Sequence, residues 1–191
     1  MKRFKKISIW ILAIIAVMVI ILVIVSPYKR HSDSFRTVEA TVEINAPIDS
    51  VFAYMSNSAY ATDWSTYVDH ITPLNSGKYA DGEKFSVRRV FVAKDEAEAQ
   101  WDEKIMDVIP NKTRTLKIYN VQGLAMTTEG LLTDQRYEKV SDGVTRLSLV
   151  LYFDENQTGL WKSFKMHIAS FKVRSIFEGN LENIKKEIEK R

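Results

Sequence analysis

The residues that could carry acid–base or metal chemistry are scattered through this sequence without a recognisable spacing. The three histidines, His31, His70 and His167, lie too far apart to show the spacing of metal ligands. Cysteine is absent, which excludes disulfides and thiolate metal sites. The acidic pair Asp102-Glu103 alternates across a strand-like segment, which indicates solvated side chains. The sequence therefore predicts no catalytic residue, no metal site and no cofactor.

Apolar and aromatic side chains in strand-like segments are better candidates, and they point to binding of an apolar ligand. Phe85, Val87 and Arg89 share one face of their segment. If that face points inward, Arg89 could anchor an acidic head group, whereas near a rim it is only solvated. An aromatic residue in mid-strand is more often packing than a cavity wall. The predicted ligand contacts are Phe85, Val87, Arg89, Trp101, Tyr119, Leu149, Leu151, Phe164 and Phe177.

A long C-terminal helix, roughly Ser170 to Lys190, would position part of this set. Its apolar residues recur every three or four positions, which puts them on one helical face: Val173, Phe177, Leu181, Ile184 and Ile188. The face is too long to be left in water, so we expect the helix to lie against a sheet.

A second apolar stripe precedes this helix and points to roughly the opposite side: Leu160, Trp161, Phe164, Ile168 and Phe171. A single helix would then be apolar on both sides. We therefore predict a break near Lys172 and a separate, basic segment from Gly159 to Ser170. This segment is either core packing with a solvated basic face, or a lid or membrane-facing element.

The rest of the chain after residue 37 reads mainly as antiparallel strands. A first strand alternates through Val38 to Ile44, and a short helix follows Pro47. Ser141-Asp142-Gly143 between two strand-like runs indicates a hairpin. The further predicted strands are Val68–Leu74, Glu83–Val92, Glu98–Ile109, Arg114–Asn120, Met126–Val140 and Val144–Phe153.

Ile7 to Val25 is an apolar run with Ser8 as its only polar side chain, which matches the length of a transmembrane helix. A signal peptide is the alternative, but its apolar region is about 7–15 residues long. We expect residues 1–29 to form a cytoplasmic tail and membrane anchor, and residues 30–37 a tether. Residues 38–191 would be an extracytoplasmic domain, because four bases precede the span.

The charge balance disfavours nucleic-acid binding. Residues 1–30 carry six basic and no acidic residues, which leaves 21 basic against 24 acidic residues in the rest of the chain. A nucleic-acid surface needs a dense basic face. The expected partners are instead a hydrophobic small molecule or lipid, and a membrane reached through residues 7–25.

Two segments at the ends of the domain carry a family resemblance. Glu43-Ile44-Asn45-Ala46-Pro47-Ile48-Asp49-Ser50-Val51-Phe52 resembles the opening of the polyketide cyclase/dehydrase and lipid-transport group, in the START-like or Bet v 1-like (SRPBCC) superfamily. Trp64 and the segment from Phe177 to Lys185 resemble later positions of the same pattern. The resemblance implies an α+β helix-grip fold, in which a curved antiparallel sheet wraps around a long C-terminal helix and leaves a cavity.

Three functions fit this reading. The first is a membrane-anchored binding protein that holds a hydrophobic molecule between the sheet and the C-terminal helix. The second is a cyclase- or hydratase-like enzyme with acid–base groups in that cavity. The third is a ligand-free protein-interaction module. A cavity above about 300 Å³ separates the first two from the third, and a converging pair of buried ionisable groups favours the second over the first.

Overall fold

The computed structural model describes residues 2–30, 36–92, 99–123, 130–153 and 159–191, with side chains from Trp10 onward. Its helices are α1 (Lys2–Val25), α2 (Ile48–Ser56), α3 (Ala61–Trp64) and α4 (Leu160–Glu189), and a 3₁₀ turn spans Ser58–Tyr60. Its strands are β1 (Lys29–Arg30), β2 (Arg36–Ile44), β3 (Val68–Pro73), β4 (Val87–Val92), β5 (Gln100–Ile109), β6 (Thr113–Gln122), β7 (Leu131–Ser141) and β8 (Val144–Phe153).

The eight strands form one antiparallel sheet in the order β1-β2-β8-β7-β6-β5-β4-β3. From β3 to β8, consecutive strands are neighbours, while β2 returns to pair with β8. The predicted hairpin is confirmed, since Ser141 pairs with Val144 across a tight turn. The predicted α+β helix-grip architecture, a curved antiparallel sheet with a C-terminal helix, is also confirmed.

The C-terminal half of α4 fills one end of the concave face. Leu181, Ile184 and Ile188 are buried there against Ile44 and Leu147. Complete burial of a leucine or isoleucine side chain contributes roughly 1.5–3 kcal/mol, so this contact accounts for much of the attachment of the helix. α2 closes the same cluster through Val51, Tyr54 and Met55.

The N-terminal half of α4 packs on the other end of the sheet. Met166 is buried there with Val38, Leu151 and Phe153. Ser170, further along this half of the helix, is also buried. The two halves of α4 therefore serve two separate hydrophobic clusters.

The predicted break near Lys172 is wrong, because α4 runs without interruption from Leu160 to Glu189. Neither proline nor glycine occurs between Leu160 and Glu178, so nothing in the backbone stops the helix. The conflict between two apolar faces is resolved by exposure of one of them. The stripe of Leu160, Trp161, Ile168 and Phe171 stays on the outside.

The start of the chain is joined to the sheet more closely than expected. The predicted tether (residues 30–37) is in part strand, because Lys29 pairs with Thr37 and Arg30 with Arg36; residues 31–35 lie outside the described residues. The predicted strand Glu83–Val92 begins only at Val87. Glu98 and residues 126–129, at the start of two other predicted strands, are also outside the described part.

α1 presents its described apolar side chains to the outside, from Trp10 to Val25, with Leu22 and Val23 partly covered. Within the part of the chain whose placement is described, no helix satisfies the length and apolarity needed to cross a membrane.

Candidate functional site

A cavity of about 680 Å³ lies between the sheet and α4. Most of its wall is apolar, supplied by β6 to β8 on one side and by α4 on the other. The apolar lining consists of Trp64, Tyr67, Val68, Trp101, Leu116, Ile118, Val121, Leu131, Leu149, Leu151, Ile168, Ala169, Val173, Ile176 and Phe177.

Strand alternation explains this wall. Leu116 and Ile118 on β6, and Leu149 and Leu151 on β8, are two residues apart and so point to the same face of the sheet. α4 contacts the sheet mainly through β2, and the cavity lies between α4 and the strands from β5 to β8. A volume of this size is typical of pockets for small ligands, which span about 300–1,000 Å³.

The buried charge in the wall comes from the ion pair of Arg88 and Glu103, while Lys165 and Lys172 on α4 are exposed lysines that also line the cavity. The guanidinium Nη2 of Arg88 lies 2.7 Å from Oε2 of Glu103, and the two side chains are only 11% and 14% exposed. The indole nitrogen of Trp101 donates to the other carboxylate oxygen of Glu103 at 2.9 Å. Arg88 also donates to the hydroxyl of Ser58 at 2.6 Å. Both oxygens of Glu103 are therefore engaged, and the pair is held from two sides.

A second arginine is buried behind this wall. Arg114 is fully buried, and its Nη1 donates to the carbonyl of Met55 near the end of α2 at 2.8 Å. Its Nε and Nη2 have no partner among the described residues. Burial, and then the neighbouring Arg88, lower the pKa of Arg114 to about 10, so it stays protonated at neutral pH. The carbonyl end of a helix favours a cation, which gives Arg114 a structural role.

Gln135 is a further polar residue of the cavity wall, and Tyr137 holds its side chain. Gln135 lines the cavity, and its amide oxygen accepts a hydrogen bond from the hydroxyl of Tyr137 at 3.0 Å. Burial raises the pKa of Tyr137, so this hydroxyl remains a donor. It is already committed to Gln135 and is not presented to the cavity as a free acid.

Of the nine predicted ligand contacts, the structure places Trp101, Leu149, Leu151 and Phe177 in the lining of the cavity. The other five lie outside that lining: Phe85, Val87, Arg89, Tyr119 and Phe164.

The predicted ligand contacts on β4 lie on the face of the strand that points away from the cavity. Arg88, Val90 and Val92 are the buried set, and Val87, Arg89 and Phe91 face the other side. Phe85 lies outside the strand at φ 72°, with an exposed ring. Both faces of β4 carry one arginine and two apolar residues, so the alternation alone could not identify the inner face.

Arg89 has its own partner on the convex face of the sheet. Its Nε donates to Asp102 at 2.8 Å, and Asn120 donates to the same carboxylate at 2.9 Å. The hydrogen bond from Arg89 is the largest of the effects that lower the pKa of Asp102. The prediction that Asp102 and Glu103 are solvated is therefore wrong, because Asp102 pairs with Arg89 on one face of the sheet and Glu103 pairs with Arg88 on the other.

Sequence reasoning missed most of the polar lining. Arg88, Glu103, Thr133 and Gln135 all line the cavity, and none of them was selected. Arg88 and Glu103 carry opposite charges and lie opposite each other on β4 and β5. This pairing could be recognised only once the register of the two strands was known.

A separate buried polar contact joins the end of α1 to α4. The hydroxyl of Ser26 is hydrogen-bonded to Nδ1 of His167, and both residues are buried. The ring of Tyr28 packs edge-on against His167 at 5.2 Å and against Phe153 at 6.5 Å between centroids. Burial, and then the charges of Arg36 and Lys29, lower the pKa of His167.

The burial of His167 predicts that the folded protein is less stable at acidic pH. Because its pKa is lowered on folding, His167 stabilises the fold fully above the unfolded pKa of about 6.5, and this stability is lost as the pH falls through the folded pKa. The melting temperature of the full chain in detergent should therefore fall between pH 8 and pH 5. The slope from one group is at most about 1.4 kcal/mol per pH unit.

The His167→Gln variant should flatten this part of the profile. His70→Gln, which alters an exposed ring on β3, is the matched control and should keep the wild-type profile. Equal profiles for His167→Gln and the wild type would contradict the role given to His167.

No cluster of three or more histidine, aspartate or glutamate residues is placed to hold a metal ion in the described ranges.

The comparisons with known proteins agree with this geometry. The family described as polyketide cyclase/dehydrase and lipid transport matches residues 36–189, nearly the whole sheet and all of α4. The chain belongs to this family. The family falls within the START-like or Bet v 1-like (SRPBCC) superfamily that the two end segments resemble. A search of curated proteins gives no significant match.

Solved structures share the fold at low identity. The crystal structure of Ara h 8.0201 is 14% identical, with a TM-score of 0.59 over 81% of this chain and 98% of its own. The ZhuI aromatase/cyclase from Streptomyces sp. R1128 is 20% identical, with a TM-score of 0.58 over 82% and 95%. The di-domain aromatase/cyclase StfQ is 11% identical, with a TM-score of 0.59 over 81% and 51%. At these identities the likeness establishes the fold alone.

Proposed function

We propose that this protein is a carrier that holds an amphipathic hydrophobic molecule or lipid between its sheet and α4, and that α1 anchors it in a membrane. The observation that carries the proposal is the apolar cavity of about 680 Å³, in which the two buried charged residues, Arg88 and Glu103, are paired with each other. Such a wall shields an apolar ligand from water. Arg88, Glu103 and Gln135 provide a polar side that can face a head group.

The apolar run from Ile7 to Val25, which lies within α1, is the basis for the proposed anchor, because it matches the length of a transmembrane helix. Its described side chains are apolar and turned outward. With four bases before the apolar run, the N-terminus would be cytoplasmic and the domain extracytoplasmic. A single cysteine introduced at Lys112 and labelled from outside intact cells by an impermeant maleimide supports this topology, and labelling only after lysis overturns it.

The experiment for the carrier is native mass spectrometry of the full chain, extracted gently in detergent. We expect an additional mass that is released on denaturation. Thr133→Phe should weaken ligand affinity at least tenfold, which corresponds to about 1.4 kcal/mol, and so lower the bound fraction, because the ring enters the cavity from β7.

Thr72→Phe is the matched control for this experiment. It places the same ring on an exposed position of β3, away from the cavity lining, and should leave the bound fraction unchanged. Equal ligand loss in the two variants, or an unoccupied wild type in repeated preparations, would count against the carrier.

A cyclase-like enzyme is the second candidate, and the buried Arg88–Glu103 pair in the cavity wall is the observation that favours it. The carrier fits better because both carboxylate oxygens already accept hydrogen bonds from the protein, Oε2 from Arg88 and Oε1 from the indole of Trp101. Glu103→Gln separates the two functions. If the protein is an enzyme, the wild type converts the ligand and Glu103→Gln binds it without converting it. If the protein is a carrier, the wild type and the variant both release the ligand unchanged.

A further inference from the structure

The N-terminal half of α4 carries an apolar stripe that no described residue covers. Its residues are exposed to an extent unusual for large apolar side chains: Leu160 by 93%, Trp161 by 66%, Ile168 by 54% and Phe171 by 45%. At about 100° per residue they fall within one side of the helix. Exposed apolar groups that form a contiguous patch mark a surface with a partner.

The charge around this stripe has one sign. Between Leu160 and Phe177 the helix has four basic residues, Lys162, Lys165, Lys172 and Arg174, and no acidic residue. The ammonium of Lys165 lies over the ring of Trp161, 5.6 Å from its centroid. Apolar side chains flanked by lysines are the composition of helices that lie in the interface of an anionic bilayer.

The stripe is continuous with the rim of the cavity. Lys165, Ile168 and Lys172 are exposed on α4 and also line the cavity. A ligand passing between Ile168 and the sheet would thus cross from the cavity directly onto the stripe.

The stripe is also fixed relative to the end of α1. α1 ends at Val25, and the next residue, Ser26, is hydrogen-bonded to His167 on α4. Tyr28 is buried against the same histidine. No free linker separates α1 from this half of α4, so a bilayer around α1 lies close to the stripe.

We propose that the exposed stripe of α4 docks on the anionic surface of the bilayer that holds α1, and that the cavity exchanges its ligand with that surface. This inference rests on the proposed function and adds the route by which the ligand enters. Lysines bind the head groups, while Trp161, Ile168 and Phe171 enter the interface beside the cavity rim.

The absence of native cysteine allows a direct test with single-cysteine variants of the full chain. An environment-sensitive fluorophore is placed at Ile168 or Phe171. The control position is Val140, exposed at the far end of β7. Each labelled chain is reconstituted in nanodiscs of phosphatidylcholine, either alone or with about 30% of the anionic lipid phosphatidylglycerol.

We expect a blue-shifted emission and quenching by nitroxide lipids at Ile168 and Phe171 in anionic discs, weakened by salt, and neither at Val140. Lys165→Glu with Lys172→Glu should reduce the quenching at least twofold. Lys112→Glu with Lys186→Glu, exposed bases away from the stripe, should not reduce it. Labels at Ile168 and Phe171 that stay as water-exposed as the label at Val140 would overturn the docking, and equal quenching without anionic lipid would do the same.

The mass of the bound ligand, measured on the same preparations, keeps the two proposals apart. A retained ligand with exposed labels overturns the docking and leaves the carrier standing. An empty cavity in the wild type overturns the carrier.

Discussion

Replacement of Glu103 by Gln is expected to destabilise the protein by roughly 3 kcal/mol. The variant removes the counter-charge of Arg88 while leaving the guanidinium largely buried, and an unpaired buried charge costs about 3–5 kcal/mol. The second arginine makes the loss larger, because Glu103 also offsets the charge of Arg114.

Thermal unfolding of the full chain in detergent measures this effect. For a chain of this size a loss of about 3 kcal/mol lowers the melting temperature by roughly 6–12 °C. Glu43→Gln is the matched control, since Glu43 pairs with Arg146 on the exposed side of the same sheet. That change should stay within about 0.5 kcal/mol, as is usual for surface ion pairs.

A double variant tests the cause. Arg88→Met with Glu103→Leu removes both charges, and replacing a buried pair by apolar residues is often neutral or stabilising. We expect it to recover at least half of the loss. A double variant that is no more stable than Glu103→Gln would show that the unpaired charge of Arg88 is not the source of the instability.

Replacement of Gly82 by Ala should lower the stability of the protein by a similar amount, but for a different reason. Gly82 adopts φ 79°, and a Cβ at this position would lie 2.3 Å from the carbonyl oxygen of Ser56, the last residue of α2. The left-handed conformation costs an alanine about 1–2 kcal/mol, and displacement of packed backbone adds about 1–3 kcal/mol. We expect a total of about 3 kcal/mol.

The turn at Gly82 also supports the cavity wall. Asp81 accepts hydrogen bonds from the backbone and the hydroxyl of Ser58 at 2.9 and 2.7 Å, and Ser58 in turn accepts from Arg88. A displaced turn should therefore loosen the hold on Arg88. Ligand occupancy in Gly82→Ala, measured by native mass spectrometry, should fall together with the melting temperature.

Gly77→Ala is the control for Gly82→Ala. Nothing lies within 4 Å of a Cβ at Gly77, so the substitution should change stability by less than about 0.5 kcal/mol. If both glycine variants melt at the wild-type temperature, the close approach of the turn to α2 is not a constraint on this fold.

The two stability predictions concern one continuous structure. Asp81, beside Gly82, binds Ser58, which accepts a hydrogen bond from Arg88 in the cavity wall, and Met55 in α2 accepts a hydrogen bond from Arg114. The apolar side depends instead on the sheet and α4. A ligand in the cavity would meet the charged residues of β4 and β5 on one side and the apolar residues of the sheet and α4 on the other.

The sequence by itself determined the fold class and the main elements. The alternation from Val144 to Phe153 placed β8 with its observed ends, and the spacing from Val173 to Ile188 placed the buried face of α4. The segment around Ala46-Pro47 and the closing pattern after Phe177 identified the family. These features can be recognised locally, because the periodicity of a strand or a helix appears within a short stretch of sequence.

Only the tertiary structure decided the inner face of β4, the Arg88–Glu103 pair and the contact of Ser26 with His167. In each case the partners are distant in sequence, and the choice depends on register or packing rather than on local pattern. The same holds for α4, which stays continuous because no residue interrupts it, while the sheet covers only one of its two apolar faces. The position of the sheet decides which apolar face of α4 remains exposed, and no short stretch of the sequence specifies that position.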